Sequence, residues 1–373
     1  MTPRPPKPFG GAERITGELV AARLREFLEG VGFVKLVRID QDATGTGPTA
    51  DLVVIVDTPA GQRRLILELK GDGLPRTLAR AAETLRSRLN AMPDTYGMIA
   101  APYITERGMA VCRRLGVGCI DAVGNGLITL GEILYINRSG IPNPAPDRRR
   151  QRSLFTPRIT RVLRVLLQGP QRRWYVRDLA TEAGVVMSAV SRAKHLLRDQ
   201  DLLGEDRREF WLGKPDELLQ EWASAYSYEV NEVNEFYSIL DIAQAEAEIG
   251  RECEARGIRY GLTLFSGAGR VAPFVRYNRA SAFVAGRVEA VADSLGLKRV
   301  PSGANVILLR PYDEGVFYGL QIVEGVKVVS DVQLYLDLKA YKARGEEAAD
   351  FLYERRIKPR WHPEPGATTP PEP

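Results

Sequence analysis

The clearest pattern in the chain lies between Asp51 and Lys70, DLVVIVDTPAGQRRLILELK, where two apolar runs flank a Gly-containing turn at Pro59 to Gln62. Alternation over such lengths predicts two paired strands. Upstream, ITGELVAARLREFLEGVG sets Ile15, Leu19, Leu24 and Phe27 broadly on one side, an amphipathic helix stopping at Gly30 or Gly32, and FVKLVRI follows as a strand. Downstream come a helix (TLARAAETLRSRLNAM), a strand (YGMIAAPYI), a helix (TERGMAVCRRLG) and a last strand, VGCIDAV, before Gly124, Asn125 and Gly126. Strands interleaved with helices over residues 13–140 predict an α/β sandwich.

Residues 141–155 are rich in proline and arginine and read as a basic linker. Over residues 156–214 the pattern gives a helix (PRITRVLRVLLQG), a second helix (YVRDLATEAG) stopping at Gly184, and a third (VMSAVSRAKHLLRDQD) starting near Ser188. Two short strands around a charged turn (DLLGEDRREFWL) complete it. That order is the order of a winged helix-turn-helix, with Leu179, Ala180, Val185, Val190 and Leu197 where the helices pack. Residues 215–358 open on long helical patterns through DELLQEWASAYSYEVNEVNEFYSILDIAQAEAEIGRECEARG. They continue in strand-like pieces (YGLTLFS, SAFVAG, VILLRPY, VFYGLQIV) and close in helix, an α+β unit. Residues 1–12 and 359–373 are Pro-rich and read as a flexible N-terminus and a disordered tail.

Composition narrows the chemistry. No run of about 18 apolar residues exists to span a membrane, and the N-terminus has no secretory pattern, so a cytoplasmic, nucleoid-associated location is expected. Three cysteines without Cys-x-x-Cys spacing read as reduced thiols. With only two histidines, a His-based zinc site or a Ser-His-Asp triad is disfavoured, and a metal would be a hard cation on carboxylates. The net charge of +5 is uneven: between Arg148 and Pro215, 14 Arg and 2 Lys stand against 4 Asp and 3 Glu, a local excess of +9. Such a concentration suits a polyanion, and DNA is the partner predicted. On the third helix Ser188, Ser191, Arg192, His195 and Arg198, with Lys194 nearby, form the set expected to face a major groove. Arg207 and Arg208 at the wing tip, and Arg148, Arg149 and Arg150 (with Arg152) in the linker, suit phosphates.

The hairpin carries charges that a simple hairpin does not need. Asp51 begins one strand, and Glu68 and Lys70, two apart, share a face of the next. Two close carboxylates repel unless a cation sits between them; Mg²⁺ (or Mn²⁺) suits such a pair, and a neighbouring lysine can position a water. The arrangement resembles the PD-(D/E)xK nuclease superfamily, which implies a restriction-endonuclease-like sandwich. It casts Asp51, Glu68 and Lys70 as catalytic, with Asp51 and Glu68 on the metal and a further acid from Glu18 or Glu26. A basic helix with Arg76, Arg80, Arg86 and Arg88 follows; the glutamine frequent there in the superfamily is replaced by Glu83 and Thr84. The plainer alternative is an exposed Glu68–Lys70 ion pair with Asp51 capping a turn.

Along its length the chain resembles the AbiEi-type antitoxins of type IV toxin–antitoxin systems. The resemblance rests on LILELKG, IAAPYI, GVGCIDAVGNGL, PNPAP, RSLFTPR and VLRVLL…RRWYVRDLATEAGV…VSRAKHLL. It continues in LTLFSGAGRVAPFVRYNRASAFV, GANVILLRPYDEGVFYG and, most specifically, VSDVQLYLDLKAYKARGEEAADFL. It implies a DNA-binding winged helix and a C-terminal nucleotidyltransferase-like fold. Active enzymes of that fold need Gly-Ser and then paired acids on a strand; here Ser266-Gly267 precede SAFVAG, Ser281 to Gly286, without an acid, so that domain is expected to be inactive and to serve as an interaction surface. Antitoxins of this type generally lack the Asp…Glu-x-Lys unit. Two functions stay open: a Mg²⁺-dependent DNA endonuclease directed by the winged helix, or a non-enzymatic DNA-binding regulator using the nuclease fold as a clamp. A homodimer and a toxin or other protein partner are the further expectations.

Overall fold

The computed structural model describes residues 15–43, 50–90, 92, 94–143, 154–341 and 344–363. The chain divides between residues 143 and 154 into two compact units of mixed α/β character. The linker arginines Arg148, Arg149, Arg150 and Arg152, and the predicted flexible N-terminus, lie outside the described residues. Apart from residues 198–201, which group with the first unit, residues 156–214 and 215–358, predicted as separate domains, both lie in the second unit.

In the first unit α1 (Gly17–Glu29) starts where the Thr16 side chain accepts from Leu19 N–H. Seven strands follow, β1 (Lys35–Ala43), β2 (Ala50–Thr58), β3 (Gly61–Leu69), β4 (Thr95–Ala101), β5 (Gly118–Asp121), β6 (Gly126–Leu130) and β7 (Leu134–Arg138), and they stand in the sheet in chain order. β1, β2 and β3 pair antiparallel, β3, β4 and β5 parallel, and β5, β6 and β7 antiparallel. The helices α2 (Pro75–Leu89) and α3 (Glu106–Arg114) make the parallel crossovers. Val20, Leu24, Phe27 and Leu28 of α1 cover one face with Leu52, Val54, Leu65 and Leu67; Leu78, Ala82, Leu85, Met109 and Cys112 cover the other with Ile66, Ile99 and Cys119. VGCIDAV is therefore not the last strand: GLITL and LYINR add two more, turned at Gly131 with φ +55°.

The second unit begins with α4 (Pro157–Gln168), α5 (Val176–Glu182) and α6 (Met187–Asp199), then the hairpin of β8 (Leu203–Asp206) and β9 (Glu209–Leu212). Gly184 makes the α5–α6 turn at φ +60°, a left-handed conformation that glycine adopts without a Cβ penalty. Leu163, Leu166, Leu179, Val190, Leu197 and Phe210 form the core here, and Trp174 pairs backbone to backbone with Phe210 in a single antiparallel bridge beside the hairpin.

The remaining elements are α7 (Pro215–Ala225), β10 (Glu232–Tyr237), α8 (Ile242–Ala255), β11 (Tyr260–Leu262), α9 (Leu264–Val271), β12 (Ala280–Val284) and α10 (Val288–Ser294). After them come β13 (Lys298–Arg299), β14 (Val306–Arg310), β15 (Gln321–Val323), β16 (Val326–Val328), α11 (Asp331–Ala340), α12 (Gly345–Leu352) and α13 (Lys358–Trp361). The sheet order is β13-β10-β14-β12-β11-β16-β15. Two expectations are corrected here. EVNEFY is a strand, not part of a long helix: it buries alternate residues Asn234 and Phe236 and pairs along β14 from Glu232–Arg310 to Phe236–Val306. Residues 359–361, predicted as part of a disordered tail, are instead in α13, where Trp361 is fully buried and donates its indole N–H to Leu167 O at 3.0 Å.

A buried polar chain joins α4 to the second sheet. Arg164, 1% exposed, donates to Gln333 Oε1 at 2.6 and 3.1 Å. The Gln333 amide donates to Asp337 Oδ1 at 2.9 Å, where the Tyr226 hydroxyl also donates at 2.6 Å, and Thr263 donates to Asp337 Oδ2 at 2.5 Å. Burial pushes the Asp337 carboxyl up to about 6 against those three hydrogen bonds and the Arg164 charge. Outside that chain, Arg161 grips Asp313 at 2.8 and 3.0 Å and Tyr318 donates to Glu182 at 2.8 Å.

Candidate functional site

The β2–β3 turn is two residues, with Thr58 paired to Gly61, and the register runs unbroken to Leu52 opposite Leu67. Since Leu52 and Leu67 face α1, the next residues outward, Asp51 and Glu68, share the opposite face at the end of the hairpin. Asp51 is exposed and its Oδ2 accepts Leu69 N–H at 2.7 Å. Glu68 is 5% exposed and has both oxygens engaged: Lys70 Nζ lies 2.8 Å from Oε2, and Arg88 Nη1, from the last turn of α2, lies 2.7 Å from Oε1. Lys70 is anchored by its backbone N–H to Ala100 O at 2.8 Å. The structure thus brings Asp51, Glu68 and Lys70 to one end of the sheet. The ion pair is not the exposed one of the plainer reading, because its carboxylate is buried.

Glu18 does not join them. It is exposed in the first turn of α1, the helix on the other face, and among the described residues no three His, Cys, Asp or Glu side chains form a metal-holding group. Two carboxylates are hard oxygen donors of the kind Mg²⁺ takes together with waters, so the donor set fits that ion in kind. Arg88 counted in the sequence only as part of a basic helix; its contact with Glu68 spans 20 positions, which no local spacing signals.

Beside the site, at the end of β5, Asp121 is 1% exposed. Its Oδ1 accepts the backbone N–H groups of Val123, Gly124 and Asn125 at 3.0, 2.8 and 2.8 Å; its Oδ2 accepts Ile104 N–H at 3.1 Å and the Asn125 amide at 2.9 Å. Burial raises its carboxyl, opposed by these bonds. Asn125 in turn exchanges two hydrogen bonds with the Ile141 backbone. The hub fixes the loops that follow β4 and β5.

On α6, Ser188, Ser191, Arg192 and His195 are exposed and Arg198 is half-buried. Lys194 points elsewhere: its ammonium pairs with Glu205 at 3.0 Å and lies 4.6 Å from the Phe210 ring, bracing the hairpin. Arg207 and Arg208 are exposed at the hairpin tip, Arg207 with φ +48°. Val186 and Met187, 59% and 57% exposed, add apolar surface at the start of α6. Ser266 is buried in α9 and accepts Ser281 N–H at 2.8 Å, and every residue of β12 is buried, so this region presents no surface acid.

No curated protein matches the chain. Among solved structures, a repair endonuclease from Pyrococcus abyssi is similar at 14% identity over 29% of this chain and 47% of its own, with a TM-score of 0.21. EndoMS in its apo form is similar at 23% identity over 28% of this chain and 45% of its own (TM-score 0.18), and an EndoMS–dsDNA complex at 18% over 31% and 47% (TM-score 0.19). The chain spans under half the length of each of these structures. Residues 211–358 match the family model described as transcriptional regulator, AbiEi antitoxin, type IV TA system, and over that stretch the chain is similar to the AbiEi antitoxins, as its sequence resemblance implied.

Proposed function

We propose that this chain is a DNA-binding protein in which a winged helix-turn-helix delivers DNA to a metal-dependent phosphodiesterase site in a restriction-endonuclease-like first unit. The observation that carries the reading is the convergence of Asp51, Glu68 and Lys70 on one face at the end of the β2–β3 hairpin. Asp51 and Glu68 would hold Mg²⁺, which supplies charge neutralisation at the transferring phosphate. Lys70, fixed through its backbone to β4 and through its ammonium to Glu68, orients a water toward the phosphorus and offsets negative charge there. Arg192 and His195 on α6 face the base edges, Ser188 and Ser191 touch phosphate or base, and Arg207 and Arg208 hold the backbone.

The test is cleavage of supercoiled, linear, single-stranded and branched DNA with Mg²⁺ or Mn²⁺, comparing wild type with Lys70→Ala. Metal-dependent nicking that disappears in the variant supports the reading. No cleavage, with equal duplex binding by both proteins, favours a second one: a DNA-binding regulator with an inactive nucleotidyltransferase-like C-terminal part. The family match over residues 211–358 speaks for that second reading, and with it for a toxin partner.

A further inference from the structure

Arg88 is the fourth charge at the site. The buried stripe of α2 runs through Leu78, Ala81, Ala82 and Leu85, and Arg88 continues it one turn on. Helical side chains lean toward their own N-terminus, so the guanidinium is carried back over the sheet onto Glu68. Two cations, Lys70 and Arg88, meet on Glu68, whose buried carboxylate has both oxygens in ion pairs, while Asp51 stands on the same face at the hairpin's end and accepts Leu69 N–H. A dication binding Asp51 and Glu68 must either displace Arg88 from Oε1 or share a few ångströms with it, and Coulomb repulsion opposes the second. A guanidinium also has a better partner in DNA than a carboxylate it shares with a lysine: a backbone phosphate, which it binds in a bidentate fork.

We infer that Arg88 is a positioning residue that exchanges between Glu68 and a DNA backbone phosphate, holding the metal site closed by charge until DNA draws it away. The inference rests on the reading of Asp51 and Glu68 as metal ligands. Linkage then requires that DNA and metal strengthen each other's binding by the same factor, and that Arg88 carry that coupling.

The measurement is Mn²⁺ affinity, by calorimetry or by electron paramagnetic resonance of the free ion, with and without a phosphorothioate duplex that resists cleavage. Wild type should bind Mn²⁺ weakly alone and at least fivefold more tightly with the duplex. Arg88→Ala should bind Mn²⁺ tenfold or more tightly than wild type without DNA and gain little from it. Arg88→Gln, which keeps the start of the aliphatic stem and a polar end and drops the charge, should behave as Arg88→Ala does, and Asp51→Asn should abolish binding in either background. Unchanged or weaker Mn²⁺ binding in both Arg88 variants overturns the inference, as does a wild type that binds the duplex without any change in Mn²⁺ affinity, or that fails to bind it. Tighter, DNA-insensitive Mn²⁺ binding in the variants with no cleavage by any protein leaves the exchange standing and removes the nuclease reading. Cleavage by wild type with Mn²⁺ affinity unmoved by Arg88 does the reverse.

Discussion

Replacing Asp337 by Asn should stabilise the second unit at neutral and alkaline pH. The carboxyl sits at about 6 in the folded chain against its usual 3.8, chiefly because burial penalises the charge. At roughly 1.4 kcal/mol per pH unit, the ionised form is about 3 kcal/mol worse off folded than unfolded. The folded chain therefore binds this proton more tightly than the unfolded one. The group's contribution to stability is greatest below pH 3.8 and is lost as pH rises through 6. Asn keeps the shape and the hydrogen bonds: its carbonyl can accept from Tyr226 and Gln333 as Oδ1 does, and its amide can donate to the Thr263 hydroxyl. Asp337→Asn should gain up to about 3 kcal/mol at pH 8 and almost nothing near pH 4. All four tryptophans, Trp174, Trp211, Trp222 and Trp361, lie in the second unit, so denaturant curves followed by tryptophan fluorescence report this unit alone. A loss of stability at pH 8, or an effect equal at pH 5 and pH 8, would show that the Asp337 charge is wanted by Arg164 and refute the reasoning.

Three smaller changes probe the other unit and the proposed DNA face. Asp121→Ala strands five N–H donors, and with buried donors costing about 1–3 kcal/mol each before loops relax, a loss of roughly 3 kcal/mol or more is expected in chemical denaturation of the first unit; a loss near zero would remove the hub. Arg207→Ala with Arg208→Ala should lower the slope of log K against log salt by up to about 2, at roughly 0.9 for each phosphate no longer neutralised, in binding titrations across a salt series. Arg192→Ala should cost about 1–3 kcal/mol on a selected duplex and little on random DNA, measured by competition; equal losses on both would make it a phosphate-binding residue.

The hairpin was legible because its period is two and its turn is short. Once Thr58 meets Gly61, every later pair follows, and Asp51 opposite Glu68 is a consequence of counting. The three helices and hairpin of residues 157–212 were legible for a similar reason, since Gly184 and the charged tip at Arg207 punctuate short amphipathic segments. EVNEFY failed because its two glutamates and its asparagine, set between helical stretches, hide an alternation that only pairing with β14 enforces. GLITL and LYINR failed because a two-strand meander carries no crossover helix to announce it.

The residue of the candidate site that spacing missed follows from the same distinction. Strand register is a local rule, and it delivered Asp51, Glu68 and Lys70. Arg88 reaches Glu68 only because α2 folds back over the parallel strands and ends where its apolar stripe runs into the carboxylate, a fact of packing and not of spacing. The sequence therefore displayed two acids and a lysine, a set with room for a cation, while the folded chain brings its own second cation. In the proposed exchange, access of a metal to Asp51 and Glu68 turns on which anion Arg88 prefers once DNA is bound. A carboxylate already paired with Lys70 competes poorly for a guanidinium against a phosphate that accepts both of its forked N–H groups.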